Sequence, residues 1–247
     1  MDTIRILNIN ICNISLGQFL NQLHEGVVFT PNVDHLCKLQ QDREFYDAYQ
    51  KANWIICDSR VLQILSFFLP KTIKETIPGS SFFEAFYHYH KDNINSKIFI
   101  LGGKKGIADK ARVNINRKIE REIVVGAYSP SFHIDDGEIM DIVDIINESG
   151  ATVVLTGLGA PKQEKFIIKA KKLLPNVKIW LALGATVDFE AGTMKRTPQI
   201  WRHYGLEWLY RTIQEPKRLI PRYAKDFKIF YYLIKQLLGL YRNPFKE

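Results

Sequence analysis

The feature that most constrains this chain is an alternation. Short runs of β-branched and apolar residues recur between longer stretches with helical spacing. The runs are Ile4–Ile9, Val27–Thr30, Trp54–Cys57, Lys97–Leu101, Ile123–Ala127, Thr152–Thr156 and Lys178–Leu183. They read as continuous apolar runs rather than alternating ones, which suits parallel strands covered on both faces. Helical patterns fill the gaps at Val33–Lys51, Arg60–Phe68, Phe82–His90, Ile107–Glu120, Gly137–Ser149 and Lys162–Leu174. Strand followed by helix, repeated, predicts a Rossmann-like α/β fold: an open, mostly parallel sheet with helices on both faces. Such sheets bind ligands beyond the carboxyl ends of their strands.

Polar and glycine-rich segments fall at those ends. Thr30-Pro31-Asn32 and Asp58-Ser59-Arg60 follow two of the runs. Gly102-Gly103-Lys104, Gly157-Leu158-Gly159-Ala160-Pro161-Lys162-Gln163 and Gly184-Ala185-Thr186-Val187-Asp188 follow three more. From Pro198 the pattern is helical to the end, with Pro216 and Pro221 expected to break it into pieces. The expected division is an α/β body over 1–194 and a C-terminal helical appendage over 195–247. Neither an internal repeat nor a low-complexity stretch interrupts it.

Charge separates the same two parts. From Lys195 to Glu247 there are 12 Lys+Arg and 4 Asp+Glu, a net of +8, which equals the net charge of the whole chain. The basic residues of this segment are interleaved with Trp, Tyr, Phe and Leu. That mixture suits a phosphate-rich partner at an apolar boundary, either a nucleic acid or an anionic membrane surface. No apolar run approaches the ~20 residues needed to span a bilayer. The longest candidate in the segment, Ile229 to Ile234, lies between Lys228 and Lys235. Contact with a membrane is expected, and crossing is not. The N-terminus carries no secretory pattern. Cys12, Cys37 and Cys57 are odd in number and form no close pair, so they read as buried free thiols in a reducing compartment.

Several residues could carry chemistry. Asp58 ends an apolar run and opens a helical one, which fits either a helix N-cap or a general base at the rim of the crevice. Gly102-Gly103-Lys104-Lys105-Gly106 resembles a phosphate turn but matches neither the dinucleotide nor the P-loop spacing. The Gly157 to Gln163 loop has similar backbone freedom, with Lys162 and Gln163 available as donors; a plain strand-to-helix turn is its other reading. The six histidines are scattered without metal-ligand spacing, and no GxSxG elbow is present. Arg211, Arg218 and Arg222 share a helical face if the helix continues past Pro216, and planar guanidinium groups suit a diphosphate. A solvated basic face is the competing reading.

Together these segments resemble one family, the bacterial glycosyltransferases of family 26 (the WecG/TagA/CpsF type). These add N-acetylmannosamine or its uronic acid to undecaprenyl-diphosphate-linked N-acetylglucosamine, in teichoic-acid linkage units, enterobacterial common antigen and capsular glycans. The resemblance runs from Thr30-Pro31-Asn32 through Gly159-Ala160-Pro161-Lys162-Gln163-Glu164 and Gly184-Ala185-Thr186. It continues through Lys195-Arg196-Thr197-Pro198 to the specific block Gly205-Leu206-Glu207-Trp208-Leu209-Tyr210-Arg211 and Pro216-Lys217-Arg218. It implies that Asp58 is the catalytic base and that Thr30, Asn32 and Gln163 line the sugar-nucleotide pocket. It further implies that Asp188 lies near the nucleotide, and that Arg211, Arg218 and Arg222 close over the site to engage diphosphate at the membrane. Thr76 and Ser81 depart from the arginine and acidic residue of many relatives, which permits a different donor sugar.

The implied reaction is an inverting transfer in which a carboxylate takes the acceptor's proton and charge develops on the departing UDP. No DxD-like metal motif stands at a strand end, so no metal or cofactor is expected, and cations of the appendage are the natural substitute. Expected partners are a UDP-sugar donor, a polyprenyl-diphosphate-linked acceptor and the cytoplasmic face of the bacterial plasma membrane; a homo-oligomer is left open. Two other classes remain: a membrane-recruited scaffold without activity, and a nucleic-acid-binding module using the basic segment. The second leaves the strand-end loops without a role, so no nucleic acid is expected.

Overall fold

Residues 2–131, 134–195, 197–198, 201 and 206–246 are described by a computed structural model. The sheet forms where the runs are most apolar: β3 (Gly26–Phe29), β4 (Trp54–Ile55), β5 (Ile98–Gly102), β6 (Val124–Tyr128), β7 (Val153–Gly157) and β8 (Ile179–Ala182). All six are parallel, in the order β4-β3-β8-β7-β5-β6. Successive side chains leave a strand on opposite faces, so the runs fill two cores at once. Val27, Phe29, Ile55, Phe99, Leu101, Val154 and Trp180 belong to one; Val28, Trp54, Ile98, Ile100, Val153, Leu155 and Leu181 belong to the other. Helices α2 (Val33–Lys38), α3 (Arg43–Gln50), α7 (Asp136–Ser149) and α8 (Lys162–Ala170) cover the first face. The second is covered by α1 (Leu16–Gln22), α5 (Gly79–Tyr89), α6 (Ile107–Ile119) and α9 (Thr186–Glu190). The short α4 (Arg60–Ser66) follows β4.

Three expectations are corrected. Ile4–Ile9 is not a strand of the sheet but an antiparallel hairpin, β1 (Thr3–Ile6) with β2 (Ile9–Cys12), turning at Leu7 with φ 54°. The helix expected over Val33–Lys51 is two helices, because Asp42 accepts the Phe45 amide at 2.9 Å and caps α3. Helix α5 begins at Gly79, directly after Pro78, rather than at Phe82. Helices α1 and α9 were not foreseen. The three cysteines are buried and free, as expected.

The C-terminal helices are α10 (Glu207–Gln214), α11 (Pro216–Asp226) and α12 (Lys228–Leu237). Pro216 opens α11, whereas Pro221 sits inside it, so only one of the two expected breaks occurs. Helices α11 and α12 pack on α2. Ile229 and Leu233 enter the first core, and Gln236 straps α12 to the hairpin, accepting the Leu7 amide at 2.7 Å and donating to the Arg5 carbonyl at 3.0 Å. Tyr241 and Asn243 then bond Gln40 and Tyr46. The apolar residues of this segment are therefore divided. One edge of α12 is core, while Phe227, Phe230, Tyr231, Ile234, Leu237 and Leu238 stay exposed. Among the described residues, no helix is long and apolar enough to cross a membrane.

Candidate active site at the strand exits

Parallel register aligns the strand exits. Ile55 pairs with Phe29, Phe29 with Ala182, Ala182 with Thr156, and Gly102 with Gly157. The loops after β4, β3, β8, β7 and β5 therefore emerge side by side. Two glycines make the convergence tight. A Cβ on Gly102 would stand 2.6 Å from the Gly157 carbonyl, and one on Gly157 would stand 2.5 Å from Val187 Cγ2 and 2.8 Å from the Gly184 carbonyl. Backbone thus meets backbone where β5, β7 and β8 end.

Asp58, at the β4 exit, does not cap the helix that follows it. Ser59 does, accepting the Leu62 amide. Asp58 Oδ1 instead accepts the Gly79 amide at 2.9 Å, the first of α5, while Ile77 N–H bonds the Cys57 carbonyl at 2.8 Å. The excursion from Ser59 to Pro78 so begins and ends at Asp58, which is partly exposed. Thr30, buried, donates to the Ala182 carbonyl at 3.2 Å and ties the β3 exit to β8. Asn32 caps α2 through the His35 amide. Gln163 lies at the first turn of α8, with its carboxamide oxygen on the Gly184 amide at 3.1 Å.

Asp188 faces a different opening. A cleft of about 400 Å³ is lined by Lys104, Ile107, Asp188, Thr193, Met194, Lys195, Gln214 and Glu215. Its body side is the β5 and β8 exits, and its other side is the junction of α10 and α11. The glycine turn singled out in the sequence therefore brings Lys104 to a wall shared with Asp188 and Lys195. Another cavity, of about 300 Å³ between α3 and α8, is lined by residues of those helices and none from the strand exits. The larger cleft is the one that adjoins the strand exits.

The three arginines part company. Arg222 reaches α2, where its guanidinium stands 3.2 Å from Asp34, and Lys38 bonds the same carboxylate oxygen at 2.8 Å. Lys38 also donates to the Ala160 carbonyl in the loop after β7. Arg222 thus joins the appendage to the body in this structure. Arg211 and Arg218 lie on α10 and α11, with side chains outside the described residues.

Residues 4–243 match the family described as "Glycosyl transferase WecG/TagA/CpsF family". The chain belongs to this family. It is accordingly a glycosyltransferase of cell-surface polysaccharide synthesis, and the match takes in the strand exits and the C-terminal helices alike.

Sequence reasoning passed over a set of buried ionisable groups on the α2–α3–α8 side of this glycosyltransferase. His35 Nδ1 and the Tyr49 hydroxyl are 2.8 Å apart. Burial pushes His35 down to about 3 and Glu164 up to about 7. Asp226 is raised to about 6 by burial and by the Asp34 carboxylate. Tyr49 is held well above its ordinary value by burial and by the charges of Glu164, Asp58 and Asp34. Of these only Glu164 adjoins a candidate residue, Gln163, in the sequence; the burial that changes its chemistry comes from tertiary packing.

Proposed function

We propose that the protein is an inverting glycosyltransferase that moves N-acetylmannosamine, or a related hexose derivative, from UDP to an undecaprenyl-diphosphate-linked sugar. The observation that carries this reading is the position of Asp58. It is a partly exposed carboxylate at a strand exit, held by the first amide of α5 and beside the exits that carry Thr30, Asn32 and Gln163. An acceptor hydroxyl brought to Asp58 gives up its proton to the carboxylate while its oxygen attacks the anomeric carbon. The bond from that carbon to the UDP oxygen breaks, and the electron pair leaves on the diphosphate. Thr30, Asn32 and Gln163 then form the donor wall, and Asp188 lies on the nucleotide side.

Charge on the leaving diphosphate needs cations already in place. Lys104 and Lys195 in the cleft are two, with Arg211 and Arg218 the further candidates on the appendage, and the reaction needs no metal. Arg222, engaged by Asp34, reaches a diphosphate only if that pair opens. The exposed apolar face of α12, with Lys225, Lys228 and Lys235 around it, suits a helix resting in the headgroup region of an anionic membrane. The protein is then peripheral to the inner face of the plasma membrane, where its lipid acceptor lies. Body (1–194) and appendage (195–247) divide the work between donor chemistry and closure at the membrane.

The test is turnover in detergent or liposomes, with a panel of UDP-sugars offered against a lipid-linked N-acetylglucosamine diphosphate. Transfer by the wild type and a loss of about 10²-fold or more in Asp58→Asn support the reading. Full activity of the variant would remove Asp58 from the role of base. Binding of lipid without any affinity for UDP would favour the scaffold instead.

A further inference from the structure

Glu164 follows Gln163 in the first turn of α8, directly beyond the β7 exit, and its side chain is fully buried. Its Oε1 accepts from Gln163 Nε2 at 2.9 Å, whereas Oε2 has no hydrogen-bond partner among the described residues. Gln163 is itself only 2 % exposed, and its Oε1 accepts the Gly184 amide at 3.1 Å. A continuous relay thus runs from α8, on one face of the sheet, to the turn that opens α9 on the other. A carboxamide has a donor end and an acceptor end of nearly the same shape, so its partners decide which way it faces. The Gly184 amide can only donate. Gln163 can therefore serve it only with its oxygen, and an acceptor is required at the opposite end; Glu164 is that acceptor.

The turn so held has consequences at the site. Gly184 leads to Ala185 at the N-terminus of α9, four residues before Phe189, and Asp188 projects from this helix toward the cleft. Val187 of the same helix packs against Gly157, at the tightest point of the strand exits. We propose that Glu164 is a positioning residue for sugar transfer, acting through Gln163 to hold the Gly184 turn and with it the Asp188 wall of the cleft. The inference rests on the glycosyltransferase reading above and adds a residue to it that touches no substrate. Glu164 is faced by Asp34 and Lys38 from α2 and by Tyr49 from α3, while Arg222 and Asp226 of α11 act on it through Asp34. Burial, opposed by the Gln163 hydrogen bond and Lys38 and reinforced by Asp34, raises its carboxyl to about 7. The Gln163 hydrogen bond favours the ionised carboxylate, so protonation below about 7 weakens the relay.

Two measurements on the full chain test this. Hydrogen exchange reads the relay without any substrate: Glu164→Leu should speed exchange across Gly184–Glu190 about tenfold or more, and Glu164→Gln, whose carboxamide oxygen still accepts from Gln163, should not. Donor kinetics read its use: kcat/KM should fall about tenfold in Glu164→Leu and stay within about threefold in Glu164→Gln. The double variant Gln163→Leu/Glu164→Leu should be no worse than Gln163→Leu alone. Additive losses, or faster exchange with unchanged kcat/KM, would overturn the proposal. Should Glu164→Leu fail to fold, Glu164→Gln decides: the wild-type donor KM should rise as pH falls below about 7 and the variant's should not, and equal slopes overturn it. A wild type that transfers no sugar while the exchange difference persists would count against the reaction assigned above, not against the relay.

Discussion

At the scale of single residues, the buried ionisable groups make stability depend on pH in two opposite senses. Glu164 and Asp226 have folded values raised to about 7 and about 6. The folded state thus favours their protonated forms, and their contribution is lost as pH rises from about 4 to about 7. His35 is lowered to about 3. It stabilises the neutral imidazole, and that contribution is lost as pH falls from about 6.5 toward 3. Thermal unfolding followed between pH 4.5 and 8 should show wild type losing stability relative to Glu164→Gln as pH rises; parallel curves would contradict the burial of a titrating Glu164. Ser59→Ala, which removes the cap of α4, should cost about 1 kcal/mol in denaturant unfolding. Asp58→Asn retains an oxygen for the Gly79 amide and should leave the melting temperature within about two degrees of wild type.

At the scale of elements, the strands were legible because continuous apolar runs have one economical use in an α/β chain, burial on both faces. The misses have local causes. The hairpin turn at Leu7 and Asn8 carries no glycine or proline, and a leucine at positive φ gives no sign of itself in the sequence. The break between α2 and α3 was hidden because Cys37, Leu39 and Phe45 keep an apolar spacing across it, with Asp42 the only mark of a new start. Helix α9 has five residues, too short for a period to show. Asp58 and Gln163 could be placed just beyond strand exits by their position after apolar runs. Their actual partners, Gly79 and Gly184, lie 21 residues away in each case, and only the folded sheet brings them near. The crowding at the exits gives a direct prediction. Gly157→Ala should destabilise the fold by about 1–3 kcal/mol, read as a shift in denaturant midpoint, because its Cβ would press on Val187 and the Gly184 carbonyl. An unchanged midpoint would mean that β7 and β8 do not close on each other at this level.

At the scale of the whole molecule, a body of balanced charge carries a basic, aromatic-rich set of helices that is both docked and exposed. Docking uses Ile229, Leu233, Gln236 and the Arg222–Asp34 pair. The outer side presents Phe227, Phe230, Tyr231, Ile234 and Leu237. Arg222→Met should therefore increase hydrogen exchange over Pro216–Leu237 while the sheet stays protected. Replacing Phe227, Phe230 and Ile234 together by serine should lower binding to phosphatidylglycerol vesicles about tenfold or more without lowering UDP affinity, since these side chains do not contribute to the core. Binding unchanged by that replacement would place the membrane contact elsewhere. The proposed division of labour between strand exits and appendage meets in one reaction, and the most direct measurement is transfer itself. Wild type and Asp58→Asn should be compared on a UDP-sugar panel with a lipid-linked N-acetylglucosamine diphosphate in liposomes. Transfer from at least one UDP-sugar by the wild type, lost in a folded Asp58→Asn that still binds UDP, is the expected result. Equal transfer by both proteins would contradict the central claim that Asp58 is the base.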